Sequence, residues 1–131
     1  MDEVYDFLKE AKTYFLATAD GDQPRVRAFG TIDKYNGKLY IQTGKSKDVS
    51  HQIAKNPKVE LCATKGLDWI RVSCTLVDDP DVEAKRHMLD AYPDLKAMYS
   101  AEDDNTQVLY MTDATATFAS LASPDTHTVT F

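Results

Sequence analysis

The sequence predicts a mainly β protein: a small antiparallel barrel with peripheral helices, formed as a single domain over residues 1–131. Three observations carry that prediction. Strand-length stretches that alternate apolar and polar residues recur along the chain, the clearest being WIRVSCTLV at 69–77 and QVLYMTDATATFAS at 107–120. Tyr35-Asn36-Gly37-Lys38 contains the Asn-Gly pair that supplies the two positive φ angles of a type I′ hairpin turn. Helical periodicity is confined to three short segments, so six or seven strands must cover one another's edges, which closing the sheet achieves.

The elements follow in order. Val4, Phe7, Leu8 and Ala11 stand at i, i+3, i+4 and i+7, the stripe of an amphipathic helix over residues 2–12. YFLATA at 14–19 is a short buried strand closed by Asp20-Gly21-Asp22. Pro24 suits the first position of a strand over 25–33, and the hairpin returns through a second strand over 38–43. A helix over 47–55 buries Val49, Gln52 and Ile53 and stops at Asn56-Pro57, because proline disfavours helical geometry in the residue before it. VELCAT at 59–64 and WIRVSCTLV then form an antiparallel pair turning near Lys65-Gly66, which sets Cys62 opposite Arg71 and leaves Cys62 and Cys74 unbridged. Asp79 and Pro80 cap and open a third helix that runs to Tyr92, and a further turn covers 95–99. AEDDNT at 101–106 is an acidic surface loop, followed by the long strand over 107–120 and a last strand over 126–131. Small residues on the long strand (Ala114, Ala116, Ala119, Ser120) indicate close approach of another surface.

Charge is unevenly placed. The chain has 15 bases against 21 acids, a net −6, yet residues 25–71 hold ten of the bases and only four of the acids. That segment is +6 inside an acidic protein, which points to a local anionic ligand rather than to nucleic acid. Arg25 and Arg27 leave one face of their strand. Thr43, Ser46 and Lys47 stand where a strand runs through Gly44-Lys45 into a helix, and a helix start offers free N–H groups to an anion. Arg27, Thr43, Ser46 and Lys47 therefore converge on a phosphate, whereas Lys34, Lys38, Lys55, Lys58 and Lys65 read as solvated strand and loop residues. Trp69 falls on the more polar face of its strand, open both to stacking on a planar ligand and to service as an edge or interface aromatic.

Other chemistries lack their residues. There is no GxSxG elbow, no GxxxxGK[ST] loop and no strand–GxGxxG–helix. His51, His87 and His127 are isolated, without HExxH or paired carboxylates, which argues against a metal site. No apolar run is long enough to span a membrane and the acidic start is not a signal peptide, so the expected location is cytoplasmic. Chemistry, if any, belongs to a cofactor.

Four blocks in this order, YFLATADGDQPRVRAFG, GKLYIQTGKSKDVSHQIAKNPKVELCA, WIRVSCTLV and YMTDATATFAS, resemble the pyridoxamine 5′-phosphate oxidase-like FMN-binding split barrels, and more closely their short general-stress-type members. The resemblance covers nearly the whole chain. It implies a six-stranded antiparallel split barrel acting as a homodimer, with FMN at the subunit interface and NAD(P)H or a small molecule as redox substrate. It places Arg25 and Arg27 at the flavin phosphate with Ser46 and Lys47, and Ala28, Phe29, Gln42 and Thr43 along the isoalloxazine. Trp69 takes a position that often carries a flavin-contacting glutamine. The same scaffold hosts deazaflavin and haem-handling proteins, and non-catalytic flavin binding is the alternative to an oxidoreductase. The vitamin oxidases themselves carry a C-terminal tryptophan and an Arg-x-His clamp. Here no arginine follows Arg86, no tryptophan follows Trp69, and Ile32 replaces the substrate-contacting lysine.

Overall fold

A break in the second strand decides the architecture. The computed structural model describes residues 1–131 as α1 (Asp2–Ala11), β1 (Tyr14–Asp20), β2 (Gln23–Phe29), β3 (Asp33–Tyr35), β4 (Lys38–Gly44), α2 (Asp48–Lys55), β5 (Lys58–Lys65), β6 (Asp68–Asp79), α3 (Val82–Ala91), a 3₁₀ turn (Pro93–Ala97), β7 (Thr106–Ser120) and β8 (Ser123–Thr130). The stretch expected as one strand over 25–33 divides at Gly30, and its halves have different partners. β2 pairs with β1, Arg27 opposite Leu16, while β3 pairs with β4 across the Asn36-Gly37 turn, with φ of 52° and 74°. The chain therefore has eight strands, two more than the six of the expected barrel.

All strand pairs are antiparallel, in the order β2-β1-β5-β6-β7-β4-β3, with β8 alongside the end of β7. β2 and β3 are the two ends of this order, yet only Gly30–Ile32 separate them. Seven strands laid flat would put those edges roughly 29 Å apart at about 4.8 Å per strand. Four Cα steps span at most about 14 Å. The sheet must curl until its edges meet, which makes it a barrel closed by a covalent crossover.

Side chains lace that crossover down. The buried Tyr14 hydroxyl on β1 donates to Thr31 O at 2.6 Å, and the Gln42 N–H on β4 donates to Thr31 Oγ1 at 3.1 Å. Tyr92, just beyond α3, accepts the Ile32 N–H and donates to Ile32 O, both at 3.0 Å. Ile32 itself is 1% exposed and sits in the main core.

The core fills the barrel. Leu16, Ile41, Leu61, Ile70, Val72, Leu76, Leu109 and Met111 meet Val4, Phe7 and Leu8 from α1 and Val49 and Ile53 from α2. Ala114 and Ala116 are buried in this core, so the surface their small size admits is the barrel interior. Gln52, expected with Val49 and Ile53, is only half-buried and is used for hydrogen bonding. A smaller core of Tyr40, Ala84, Met88 and Val108 holds α3. That helix starts two residues later than expected: Asp79 stays in β6, accepting from the Tyr40 hydroxyl, and Asp81 caps by accepting the Glu83 N–H. The last strand likewise begins three residues early, at Ser123. Cys62 pairs opposite Arg71 as expected, and both cysteines are free. No helix is long and apolar enough to cross a membrane.

Tyr14→Phe tests the lacing. It leaves the Thr31 carbonyl without its buried donor, and an unmade buried hydrogen bond costs about 1–3 kcal/mol. Urea denaturation should show a stability loss in that range. A loss below about 0.5 kcal/mol would mean that the crossover is held by packing alone.

Candidate functional site

Barrel closure places two segments distant in sequence against each other. Arg27, Ala28, Phe29, Gly30 and Thr31 face Gln42, Thr43, Lys47 and Val49 across a cavity of ≈ 250 Å3, closed on its third side by Leu95, Met98 and Tyr99. Six of the nine residues singled out from the sequence (Arg27, Ala28, Phe29, Gln42, Thr43, Lys47) thus meet around one space. Arg27 and Val49 also line a groove of ≈ 1010 Å3 between the β1–β2 hairpin and α2, with Arg25, Lys55, His51 and Gln52 and the acids Asp20 and Asp48.

Arg27 stands at the junction and is held with some precision. Nη1 donates to Thr18 Oγ1 at 2.8 Å and to Leu16 O at 3.1 Å, and Nη2 donates to Gln52 Oε1 at 2.7 Å. The Thr18 hydroxyl in turn donates to the same Gln52 oxygen at 2.5 Å. Every acceptor is neutral, and no carboxylate pairs with Arg27. Partial burial, and next the neighbouring Arg25 charge, pull its pKa below the ordinary arginine value, with Asp48 acting the other way. An arginine guanidinium is not deprotonated in proteins and stays charged under these influences. The site therefore holds a partly desolvated cation with no carboxylate in direct contact, Asp48 acting only at longer range, an arrangement that an anionic ligand relieves. Arg25 differs, since its Nε is bound to Asp20 at 3.2 Å and both side chains are about half exposed.

The loop into α2 is built otherwise than its sequence suggests. Three of its N–H groups are already used: Lys45 donates to Asn105 O at 2.7 Å, Ser46 to Asn105 Oδ1 at 3.1 Å and Lys47 to Gly44 O at 3.0 Å. The Ser46 side chain is exposed and lines neither space. Lys47 is the extended residue before α2, and its side chain reaches the smaller cavity. Trp69 lies elsewhere, in a cleft of ≈ 660 Å3 with Phe7, Phe118 and His127, so one subunit does not bring it to Arg27.

Several participants escaped sequence reasoning. Thr18 and Gln52 carry no motif, although Gln52 was marked for the wrong reason, as part of a buried stripe. Leu95, Met98 and Tyr99 follow a helix that shows no sign of folding back. Asn105 sits in the stretch read as a solvated acidic loop. There Asp103 accepts from the N–H groups of Ser100, Asn105 and Thr106 and from the Thr106 hydroxyl, at 2.7–3.0 Å. Burial opposes its ionisation, but these bonds outweigh it and hold the Asp103 pKa down at about 2. The three histidines are dispersed: His87 Nδ1 lies 2.6 Å from the buried Asp33 carboxylate, His127 Nε2 lies 2.9 Å from Glu3, and His51 lines the basic groove.

Comparison with known proteins identifies the family and the fold. The family model described as pyridoxamine 5′-phosphate oxidase matches residues 1–112. The solved structure of a NimC/NimA family protein from Clostridium acetobutylicum is 39% identical, with a TM-score of 0.96 over 100% of this chain and 92% of that one. General Stress Protein 26 from Bacillus anthracis shares the fold at 19% identity and a TM-score of 0.79, over 99% and 97% of the two chains. A pyridoxamine 5′-phosphate oxidase-related, FMN binding protein from Nostoc punctiforme shares it at 12% and 0.71, over 99% and 93%. No curated protein matches the chain.

The acidic loop offers a test by pH. Because the folded Asp103 pKa lies below its ordinary 3.8, its contribution to stability is present above that value and is lost as pH falls toward about 2. Denaturation midpoints measured between about pH 5 and pH 2 should fall more steeply for the parent protein than for Asp103→Asn. Parallel curves would show that these four bonds add nothing.

Proposed function

The chain belongs to the pyridoxamine 5′-phosphate oxidase family and, through its 39%-identical relative, to the NimC/NimA family; on that premise we propose that it binds FMN and works as an FMN-dependent oxidoreductase. The observation that carries this reading is the partly desolvated guanidinium of Arg27, bound to no carboxylate, in the wall of a cavity also lined by Phe29, Leu95, Met98 and Tyr99. FMN presents the matching chemistry, a dianionic phosphate and a flat aromatic ring system.

Arg27 and Lys47 hold the phosphate in this proposal, with Arg25 as a more distant cation. Ala28, Phe29, Gln42 and Thr43 line the ring. Bound flavin supplies two-electron acceptance and donation. The residues of the chain bind and orient it: the ionisable groups around the smaller cavity are Arg27, Lys47 and Tyr99, with no carboxylate or histidine placed to move a proton there. The family's vitamin phosphate is not the proposed substrate, because Ile32, at the position expected of the substrate-contacting lysine, is buried in the core.

The proposed unit is a homodimer with the flavin at the interface. Phe15 (51% exposed) and Val26 (67% exposed) lie with Ala17, Ala28 and Cys62 on one outward face of β2, β1 and β5. Ala28 belongs both to this apolar face and to the cavity wall, so a second copy covering the face would complete the cavity. Trp69 reaches the flavin in this reading only from the partner subunit. A second reading is flavin holding without turnover, favoured by a cavity that has neither a carboxylate nor a histidine in its wall.

Purified protein should show a flavin absorption band after addition of FMN and desalting, and a dimeric mass in solution. NADH or NADPH bleaching that band with turnover would select the oxidoreductase, and retained flavin that neither reduces would select the carrier. A charge-assisted hydrogen bond contributes about 1.5–3 kcal/mol. Arg27→Ala should therefore weaken FMN binding by roughly tenfold or more in a fluorescence titration. Unchanged affinity would remove Arg27 from the phosphate.

A further inference from the structure

We propose that Asn105 is the residue that makes this site selective for a phosphorylated flavin over the unphosphorylated one, an inference that rests on the phosphate reading of the Arg27–Lys47 end. Asn105 touches neither proposed phosphate ligand. It acts on the turn that carries Lys47. Its carbonyl accepts the Lys45 N–H at 2.7 Å, and its side-chain Oδ1 accepts the Ser46 N–H at 3.1 Å. The Lys47 N–H then closes onto Gly44 O at 3.0 Å, so three consecutive amides are fixed immediately before α2 begins.

The carboxamide is itself positioned from both sides. Its backbone N–H donates to Asp103 Oδ1 at 2.9 Å, and the same carboxylate oxygen accepts the Thr106 N–H at 2.7 Å, tying Asn105 to the start of β7. On the other side it lies flat on Gly44: a Cβ there would come within 3.0 Å of Asn105 Nδ2 and 3.2 Å of the Tyr99 hydroxyl. A Cβ at Gly44 would force the carboxamide and the Tyr99 hydroxyl to give by a few tenths of an ångström. The loop between the 3₁₀ turn and β7 thus does two things for one cavity. Leu95, Met98 and Tyr99 cover its apolar end, and Asn105 sets the backbone from which Lys47 faces Arg27.

The role predicts a specific signature. A residue that only supports the fold would weaken both flavins alike, whereas one that orders the Lys47 turn matters only to a ligand bearing the phosphate. Affinities for FMN and for riboflavin, read by quenching of flavin fluorescence, should be compared in the parent, in Asn105→Ala and in Gly44→Ala, with melting temperatures alongside. The parent should prefer FMN by about tenfold or more. Asn105→Ala should lose about fivefold in FMN affinity with riboflavin unchanged within about twofold, the loss of one hydrogen bond. Gly44→Ala, which crowds both the carboxamide and the Tyr99 hydroxyl, should weaken FMN more than riboflavin and stands in if Asn105→Ala does not fold. An undiminished FMN preference in the variants, or an equal loss for both flavins, overturns the assignment to Asn105. A parent protein that binds both flavins equally overturns the phosphate reading itself.

Discussion

Three residues hold the molecule to its shape. Gly30, Thr31 and Ile32 join two strands that lie at opposite ends of the sheet order, and the distance they can span leaves the sheet no arrangement but a closed one. Closure does more than hide edges. It brings the end of β2 against the end of β4, and those two segments supply most of the candidate cavity. The hydrogen bonds of Tyr14, Gln42 and Tyr92 to the crossover are therefore bonds to the floor of the site as well as to the fold. Stability and binding geometry share the same few atoms.

Arg27 illustrates the opposite relation. Its guanidinium is drawn partly out of water, faces only neutral acceptors and sits near a second arginine. A protein selected for stability alone would place a carboxylate there, since an isolated buried charge is costly. Five of the chain's cations do have such partners: Arg25 has Asp20, Lys34 has Asp2, Lys65 has Glu10, Lys96 has Asp90 and Arg86 has both Glu83 and Glu102. Thr18 and Gln52 give Arg27 hydrogen bonds without neutralising it, which fixes its direction and leaves its charge available to a ligand.

Local signals were legible in the sequence and long-range ones were not. The Asn36-Gly37 turn, the stop at Asn56-Pro57 and the facing of Cys62 and Arg71 all follow from chemistry within a few residues, and all appear in the structure. The break at Gly30 did not show, because both halves of 25–33 alternate well enough to read as one strand and only the change of partner separates them. The cation constellation was visible in the charge map, and Arg27 and Lys47 do meet. What the map could not supply was the loop that orders it. Asn105 reads as a solvent-facing polar residue because its partners, Ser46 and Lys45, lie about sixty positions away. Asp103 reads so although its partners Ser100, Asn105 and Thr106 are local, because an acidic stretch looks the same whether or not it folds back on its own amides. Ser46 illustrates the same limit: its place before a helix suits an anion, but its N–H is bonded to Asn105 and its side chain lines neither space. Trp69 was placed correctly on its strand, but no single-chain pattern says that it belongs to a different cleft.

β7 runs the length of the barrel, with β6 along one side and β4 and β8 sharing the other. This has a consequence for how the chain acquires its shape. The β3–β4 hairpin closes early, from neighbours in sequence, but the open side of β4 finds its partner only when residues 106–110 arrive. Pairings so distant in sequence are slow to form, because the intervening chain must be ordered first. On the ribosome, β4 would wait with an unsatisfied edge until most of the protein had been made. The turn that carries Lys47 hangs from that same edge and is fastened by Asn105, the residue just before β7. The anion-facing end of the cavity is thus assembled among the last parts of the molecule, and a chain that has not paired β7 has a hairpin but no site.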